Sequence, residues 1–171
     1  MDIEELILLK EHSQLLVMHS WRKDIPRTHR NIIIAEALNS CTVDENFHIT
    51  GYLITNRRVF VVGWSETTPF QKILKHFYRK VAEGIFNYRK HTFQYDDESY
   101  VDEQHANVLF TTYPFYNEHI HTLITGRKLV SAYYDPNIER LKEYIKHHEY
   151  CSALDYEGGK SPVFVNTSAN V

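Results

Sequence analysis

The run from Phe47 to Val62 constrains this chain more than any other. It is aromatic, β-branched or aliphatic almost throughout, and only Thr55-Asn56-Arg57-Arg58 interrupts it. Residues of that kind fit a pleated, half-buried surface, so the run is predicted as strand. The polar break leaves two readings open, one long strand or a hairpin bent around Asn56-Arg57. An antiparallel sheet is the natural setting for both. Side chains alternate between the faces of a strand, so Arg58 and Phe60 are predicted to project from the same side.

A half-buried sheet needs a second layer, and the chain has helices to build one. Phe70, Ile73, Leu74, Phe77, Val81 and Ile85 form an apolar stripe at helical spacing, and Thr67-Thr68-Pro69 supplies a cap and a first-turn proline. Arg30 to Asn39 carries apolar residues at 33, 34, 37 and 38; Asn39-Ser40 suits its end, and Asp44 to Asn46 reads as a turn. Pro136 to Lys146 is a further helix, with Ile138, Leu141 and Ile145 on one side. Val108 to Phe110 is a short strand candidate. His91 to Gln104, polar and acidic without a helical period, is predicted as a loop or weak hairpin. Glu157 to Pro162 reads as a turn and residues 166–171 as a flexible tail.

With 171 residues, 43% of them hydrophobic, the chain can bury one sizeable core, and 1–171 is read as a single domain. No apolar run approaches the ~20 residues of a membrane span, and Met1 to Ser20 carries acids where a secretory signal needs basic residues. No membrane partner and a cytoplasmic location are therefore expected. Cys41 and Cys151 lie far apart without the close pairing of a zinc or redox motif and read as buried thiols. The net charge of -3 argues against a uniformly basic nucleic-acid binder, yet the charge is segregated. From Arg57 to Lys90 there are eight Lys or Arg against Glu66 and Glu83, a net +6. From His91 to His105 there are five acids (Asp96, Asp97, Glu98, Asp102 and Glu103) and no Lys or Arg, a net -5.

Three segments carry more specific patterns. The first runs from Trp21-Arg22-Lys23-Asp24-Ile25-Pro26-Arg27 through the helix at Ile32 to Leu38, with Ser40-Cys41, to Ile49-Thr50-Gly51-Tyr52-Leu53-Ile54-Thr55-Asn56. The second is the helix Phe70 to Ile85. The third is Tyr150-Cys151-Ser152-Ala153-Leu154-Asp155-Tyr156-Glu157-Gly158-Gly159-Lys160. Together they resemble the REP-associated tyrosine transposases, members of the single-tyrosine HUH transposase family, from about Leu15 to Val165, with Asn87 to Asn107 fitting worst. In that family an apolar strand leads through asparagine into His-hydrophobic-His, the next helix bears the tyrosine nucleophile, and the tail reads tyrosine-serine-serine-alanine, aspartate-tyrosine, glycine. The resemblance implies an α+β, ferredoxin-like core: an antiparallel sheet with helices packed on one face.

It also implies a chemistry. Two imidazoles on one strand face and a further polar ligand hold a divalent metal that polarises the scissile phosphate, while tyrosine attacks and becomes linked to DNA. Here the two ligand positions read Arg58 and Phe60, or Arg57 and Val59 if the alignment slips by one. A guanidinium repels a metal ion and a phenyl ring cannot ligate one. The usual nucleophile position reads Lys80, with Tyr78 two residues earlier as the catalytic candidate. A second His-Ile-His, at His119-Ile120-His121, has HUH spacing when read locally and is the alternative metal site, with Mg or Mn as the ion; otherwise no cofactor is expected. Arg57, Arg58, Lys72, Lys75, Arg79 and Lys80 are candidates for binding nucleic acid, because arginine holds phosphate through a bidentate fork. The leading expectation is a transposase-like domain that binds single-stranded or hairpin DNA but is impaired in cleavage. The rivals are an active nickase using His119 and His121, and a module that binds a protein partner or forms a homodimer.

Overall fold

Asn56 and Arg57 turn the chain back on itself, so the run from Phe47 to Val62 is a hairpin: β2, His48–Ile54, and β3, Arg58–Trp64. Thr55 closes the turn. Its N–H donates to the Arg58 carbonyl at 2.8 Å and its hydroxyl oxygen accepts from the Arg58 N–H at 3.1 Å. The computed structural model describes residues 12–18, 25–91 and 109–170. Around the hairpin stand β1, His12–Met18, α1, Arg27–Glu45, α2, Phe70–His91, and β4, Phe110–Pro114. The four strands run antiparallel in the order β2-β3-β1-β4. With α1 between β1 and β2 and α2 between β3 and β4, this is the βαββαβ order of a ferredoxin-like α+β fold.

Helix α2 begins at Phe70, as its stripe predicts, and runs on to His91. Helix α1 is longer than its apolar pattern, because Asp44 and Glu45 continue the helix. Asn46, left-handed at φ 52°, ends it, its N–H donating to the Cys41 carbonyl and its side-chain amide to the Thr67 hydroxyl at 3.4 Å. The α1 and α2 pair packs on one face of the sheet, where Ile34, Leu38, Phe77 and Val81 meet Leu16, Val59 and Val61. A bulge in β2 between Ile49 and Gly51 lets Ile49 and Tyr52 share that face although they lie an odd number of positions apart.

The second face is covered too. Leu53, Phe60 and Val62 meet Ile124 of α3, Glu118–Ile124, Ile145 of α4, Pro136–Lys146, and Cys151. The chain then lies along the outer edge of β2, with Leu53 bridging Cys151, before a short α5, Ala153–Tyr156. That edge is therefore not available for pairing with another chain. Both thiols are buried as expected, and burial pushes them up, to about 12 for Cys41 and about 11 for Cys151, so neither is a nucleophile at neutral pH.

Residues 166–170 are anchored at their start: the Asn166 N–H donates to the Ile49 carbonyl at 2.8 Å, and a 3-10 turn, Thr167–Asn170, follows. The predicted loop at His91 to Gln104, with its acids, lies outside the described residues apart from His91. No helix among the described residues is long and apolar enough to cross a membrane.

Candidate functional site

Alternation along β3 decides which side of the sheet each residue serves. Val59 and Val61 belong to the face under α1 and α2, whereas Phe60 and Val62 belong to the opposite face under α3 and α4. Arg58 shares the side of Phe60, as its spacing predicts. The two resembled ligand positions thus open on a cleft of about 640 Å³ at the hairpin end of the sheet. Leu53 and Phe60 form its floor, Ile120, Leu141 and Tyr144 its walls, and Asn56, Arg57 and Arg58 its mouth. Phe60 is buried and stacks at a tilt on Phe115, whose ring meets the His121 imidazole edge-on.

Both guanidiniums are exposed, and among the described residues neither makes an ion pair or side-chain hydrogen bond. Among the described residues no carboxylate lines this cleft. Two cations over an apolar floor form a site for an anion with a flat apolar portion, since each guanidinium offers a planar fork to phosphate. The donor set does not fit a divalent metal: Arg58 and Phe60 have nothing to give one.

Tyr78 stands elsewhere. It lies on α2, half-buried, in ring contact with Phe77 and Phe110, and burial raises its phenol. The sheet separates it from Arg58 and Phe60, so its hydroxyl cannot reach a phosphate held in the cleft. His119 and His121 fail as a pair for a different reason. On a strand, residues two apart point the same way, but these two lie on helix α3, where two residues turn the side chain by about 200°. Ile120, between them, points into the cleft wall instead. Among the described residues no group of three or more His, Cys, Asp or Glu side chains is placed to hold a metal ion.

The basic candidates are also divided. Lys72, Lys75, Arg79 and Lys80 lie on α2, across the sheet from the cleft, and they do not form one surface with Arg57 and Arg58. Three of them have partners, one across to α1 and two within α2. Lys72 pairs with Glu45 at 3.8 Å, Lys80 with Glu83 at 3.1 Å, and Arg79 donates to His76 Nδ1 at 2.7 Å. Lys75 is exposed.

The interface between α1 and α2 contains a serine, a histidine and an aspartate that the sequence reading did not single out. Buried His76 has Nε2 at 3.1 Å from both Ser40 Oγ and Asp44 Oδ2. A guanidinium only donates, so Nδ1 accepts from Arg79 and Nε2 carries the hydrogen. Serine and aspartate share one ring nitrogen, so the imidazole cannot relay a proton between them as a catalytic triad does. The cluster is a polar staple between two helices.

Its acid has a pH signature. The Ser40 hydroxyl donates to Asp44 Oδ2 at 2.8 Å and, helped by His76 and the nearby Lys80 charge, holds the carboxyl below its ordinary 3.8. A depressed folded value contributes stability above pH ~4 that is lost as the pH falls through the lower folded value. Asp44→Asn is expected to flatten the acid limb of the urea midpoint between pH 5 and pH 2, while leaving its slope near neutrality unchanged. An unaltered acid limb would mean that the hydrogen bonds do not hold in solution.

The residues that complete the cleft, Ile120, Leu141 and Tyr144, were not legible as site residues. Their helices are readable from the Asn117 cap and the 138, 141, 145 stripe, but nothing local says which sheet face they cover. Comparison with protein-family models, with curated proteins and with solved structures finds no match.

Proposed function

We propose that this chain is a transposase-like, DNA-binding domain that holds single-stranded or hairpin DNA without metal-dependent cleavage. One observation carries the reading: the two positions where the resembled enzymes place metal-binding histidines are Arg58 and Phe60, and they open with Arg57 on a cleft that no carboxylate lines among the described residues. A phosphate there meets two guanidiniums in place of a metal ion, and a base meets the apolar floor. Electrostatic hold by guanidiniums, at positions whose side chains cannot ligate a Lewis acid, supports binding rather than strand transfer. The candidates on α2 are not part of this surface.

The expected result is salt-sensitive binding of single-stranded and hairpin oligonucleotides, read by fluorescence anisotropy at several salt concentrations. Replacing Arg57 and Arg58 together by alanine is expected to weaken binding at least tenfold. It should also make the slope of log affinity on log salt shallower by about 1.4, the contribution of two phosphate contacts on a single strand. Wild-type protein that binds none of these oligonucleotides, or binds them without salt dependence, would remove the reading. Manganese-dependent covalent attachment of an oligonucleotide would replace it with the nickase.

A further inference from the structure

Tyr144 has two neighbours of interest, because it walls the arginine cleft on one side and a second groove on the other. That groove, about 570 Å³, is lined by Tyr134, Pro136, Glu139, Arg140, Glu143 and Tyr144. All but Tyr134 come from α4 at spacings of three and four, so they form one ridge on the helix surface turned away from Leu141 and Ile145. The aromatics on it are unusually bare. Tyr134 is 81% exposed and Tyr144 47%, and Tyr133, next to the groove in sequence, is 84% exposed. A large phenol held in water without burying its ring has given up the main stabilisation an aromatic provides, which marks a surface built for contact.

Charge selects the occupant. Arg140 lies on the ridge, exposed and without an ion pair or side-chain hydrogen bond among the described residues, in the groove that shares Tyr144 with the cleft of Arg57 and Arg58. Glu139 pairs with Lys142 at 3.5 Å and a Glu143 carboxylate oxygen lies 3.2 Å from His147 Nε2, and each carboxylate keeps lone pairs open for a further donor. A chain of alternating flat rings and phosphates suits this sequence of aromatic, cation and acceptor better than a uniformly acidic or apolar partner.

We infer that the groove over α4 is a continuation of the arginine cleft, and that a single DNA strand runs from Arg57 and Arg58 past Tyr144 to Tyr134, with its bases stacked on the two tyrosines. The inference rests on the reading above and adds the strand's path. It also adds a preference. Glu139 and Glu143 can only accept hydrogen bonds when ionised, so they favour bases with an exocyclic amino group, as cytosine has and thymine lacks. Oligo(dC) is bound more tightly than oligo(dT).

The test uses the full chain and fluorescein-labelled dC and dT oligonucleotides of four and twelve residues. Tyr134→Ala and Tyr144→Ala are each expected to weaken dC binding about tenfold, the scale of one lost stacking contact. Stacking releases no counterions, so the salt slope should stay at its wild-type value, unlike that of the arginine variant. Glu139→Gln with Glu143→Gln should narrow the preference for dC over dT. Ultraviolet cross-linking of wild-type protein to oligonucleotides carrying 5-iodocytosine, with the adducts mapped by mass spectrometry, should label Tyr134 and Tyr144 and needs no variant to fold. If the arginine variant weakens binding while both tyrosine variants bind like wild type and no adduct maps to α4, the cleft stands and the path falls. If tyrosine variants leave DNA binding unchanged but disrupt a protein complex or dimer, the groove serves a protein partner and the inference is wrong.

Discussion

Replacing Ser152 by alanine is expected to lower stability by about 2–4 kcal/mol, the sum of two buried backbone groups left without partners. Ser152 is fully buried. Its hydroxyl oxygen accepts from the Tyr52 N–H at 2.9 Å, and the hydroxyl lies 2.5 Å from the Ile124 carbonyl and 3.2 Å from that of Tyr52. The Ser152 N–H donates to the Tyr52 carbonyl at 3.1 Å as well, and that bond survives the substitution. What is lost is the partner of one donor in β2 and of one acceptor at the end of α3. No water can enter a site with no exposure, so the desolvation cost falls on both groups.

For a chain of this length the loss corresponds to a fall in Tm of about 4–16 °C. Tyr156→Phe is the natural comparison. It removes one hydrogen bond, from the phenol to the Thr50 carbonyl at 2.6 Å, from a half-buried position that water can reach, and should cost about 1 kcal/mol. Equal losses for the two variants, or a wild-type Tm for Ser152→Ala, would mean that Ser152 does not clamp the chain onto β2. The clamp matters for the cleft because Ile120 and Ile124 share helix α3, and Tyr144 reaches the same wall from α4 just before the clamped segment. Loosening Ser152 should therefore weaken the proposed DNA binding without altering any residue that lines the cleft.

What could be read from the sequence was what local spacing encodes. The α2 stripe and the Pro136 to Lys146 helix follow from residues three and four apart, and the hairpin from a polar break in a β-rich run. The side of the sheet on which Arg58 and Phe60 stand together was legible from alternation alone. What they stand against was not, because α3 and α4 reach that face from far along the chain. The His119-Ile120-His121 spacing shows the limit in the other direction. Its register means convergence on a strand and divergence on a helix, and the local clue was Asn117, whose side chain caps α3 by accepting from the Ile120 N–H at 3.0 Å. The tail segment from Tyr150 to Lys160 was recognisable as a pattern, but its job of sealing the β2 edge depends on a pairing 100 residues away.

Gly63→Ala is expected to cost about 3 kcal/mol and Gly63→Val more, the upper range for forcing atoms into a packed core. Gly63 sits in β3 between Ile49 on one side and His12 on the other. A Cβ there would stand 2.6 Å from the His48 carbonyl oxygen and 2.6 Å from the Phe47 ring. Neither can move easily: the first is backbone next to the β2 bulge, and the second belongs to a fully buried ring that also meets Phe70 at 5.9 Å. Gly158→Ala separates this steric effect from backbone strain. Gly158 has φ 94° but nothing within 4 Å of an added Cβ, so its alanine variant suffers only the strained conformation, about 1–2 kcal/mol. Urea denaturation of the two variants should rank Gly63→Ala well below Gly158→Ala. Adding Phe47→Leu to Gly63→Ala should recover part of the loss, because leucine leaves room where the ring edge stood, giving a coupling of about 1 kcal/mol in the double-mutant cycle. Strict additivity of Phe47→Leu and Gly63→Ala would show that the ring does not press on β3 at this point, and the packing of α1 and α2 on that face would then need a different account.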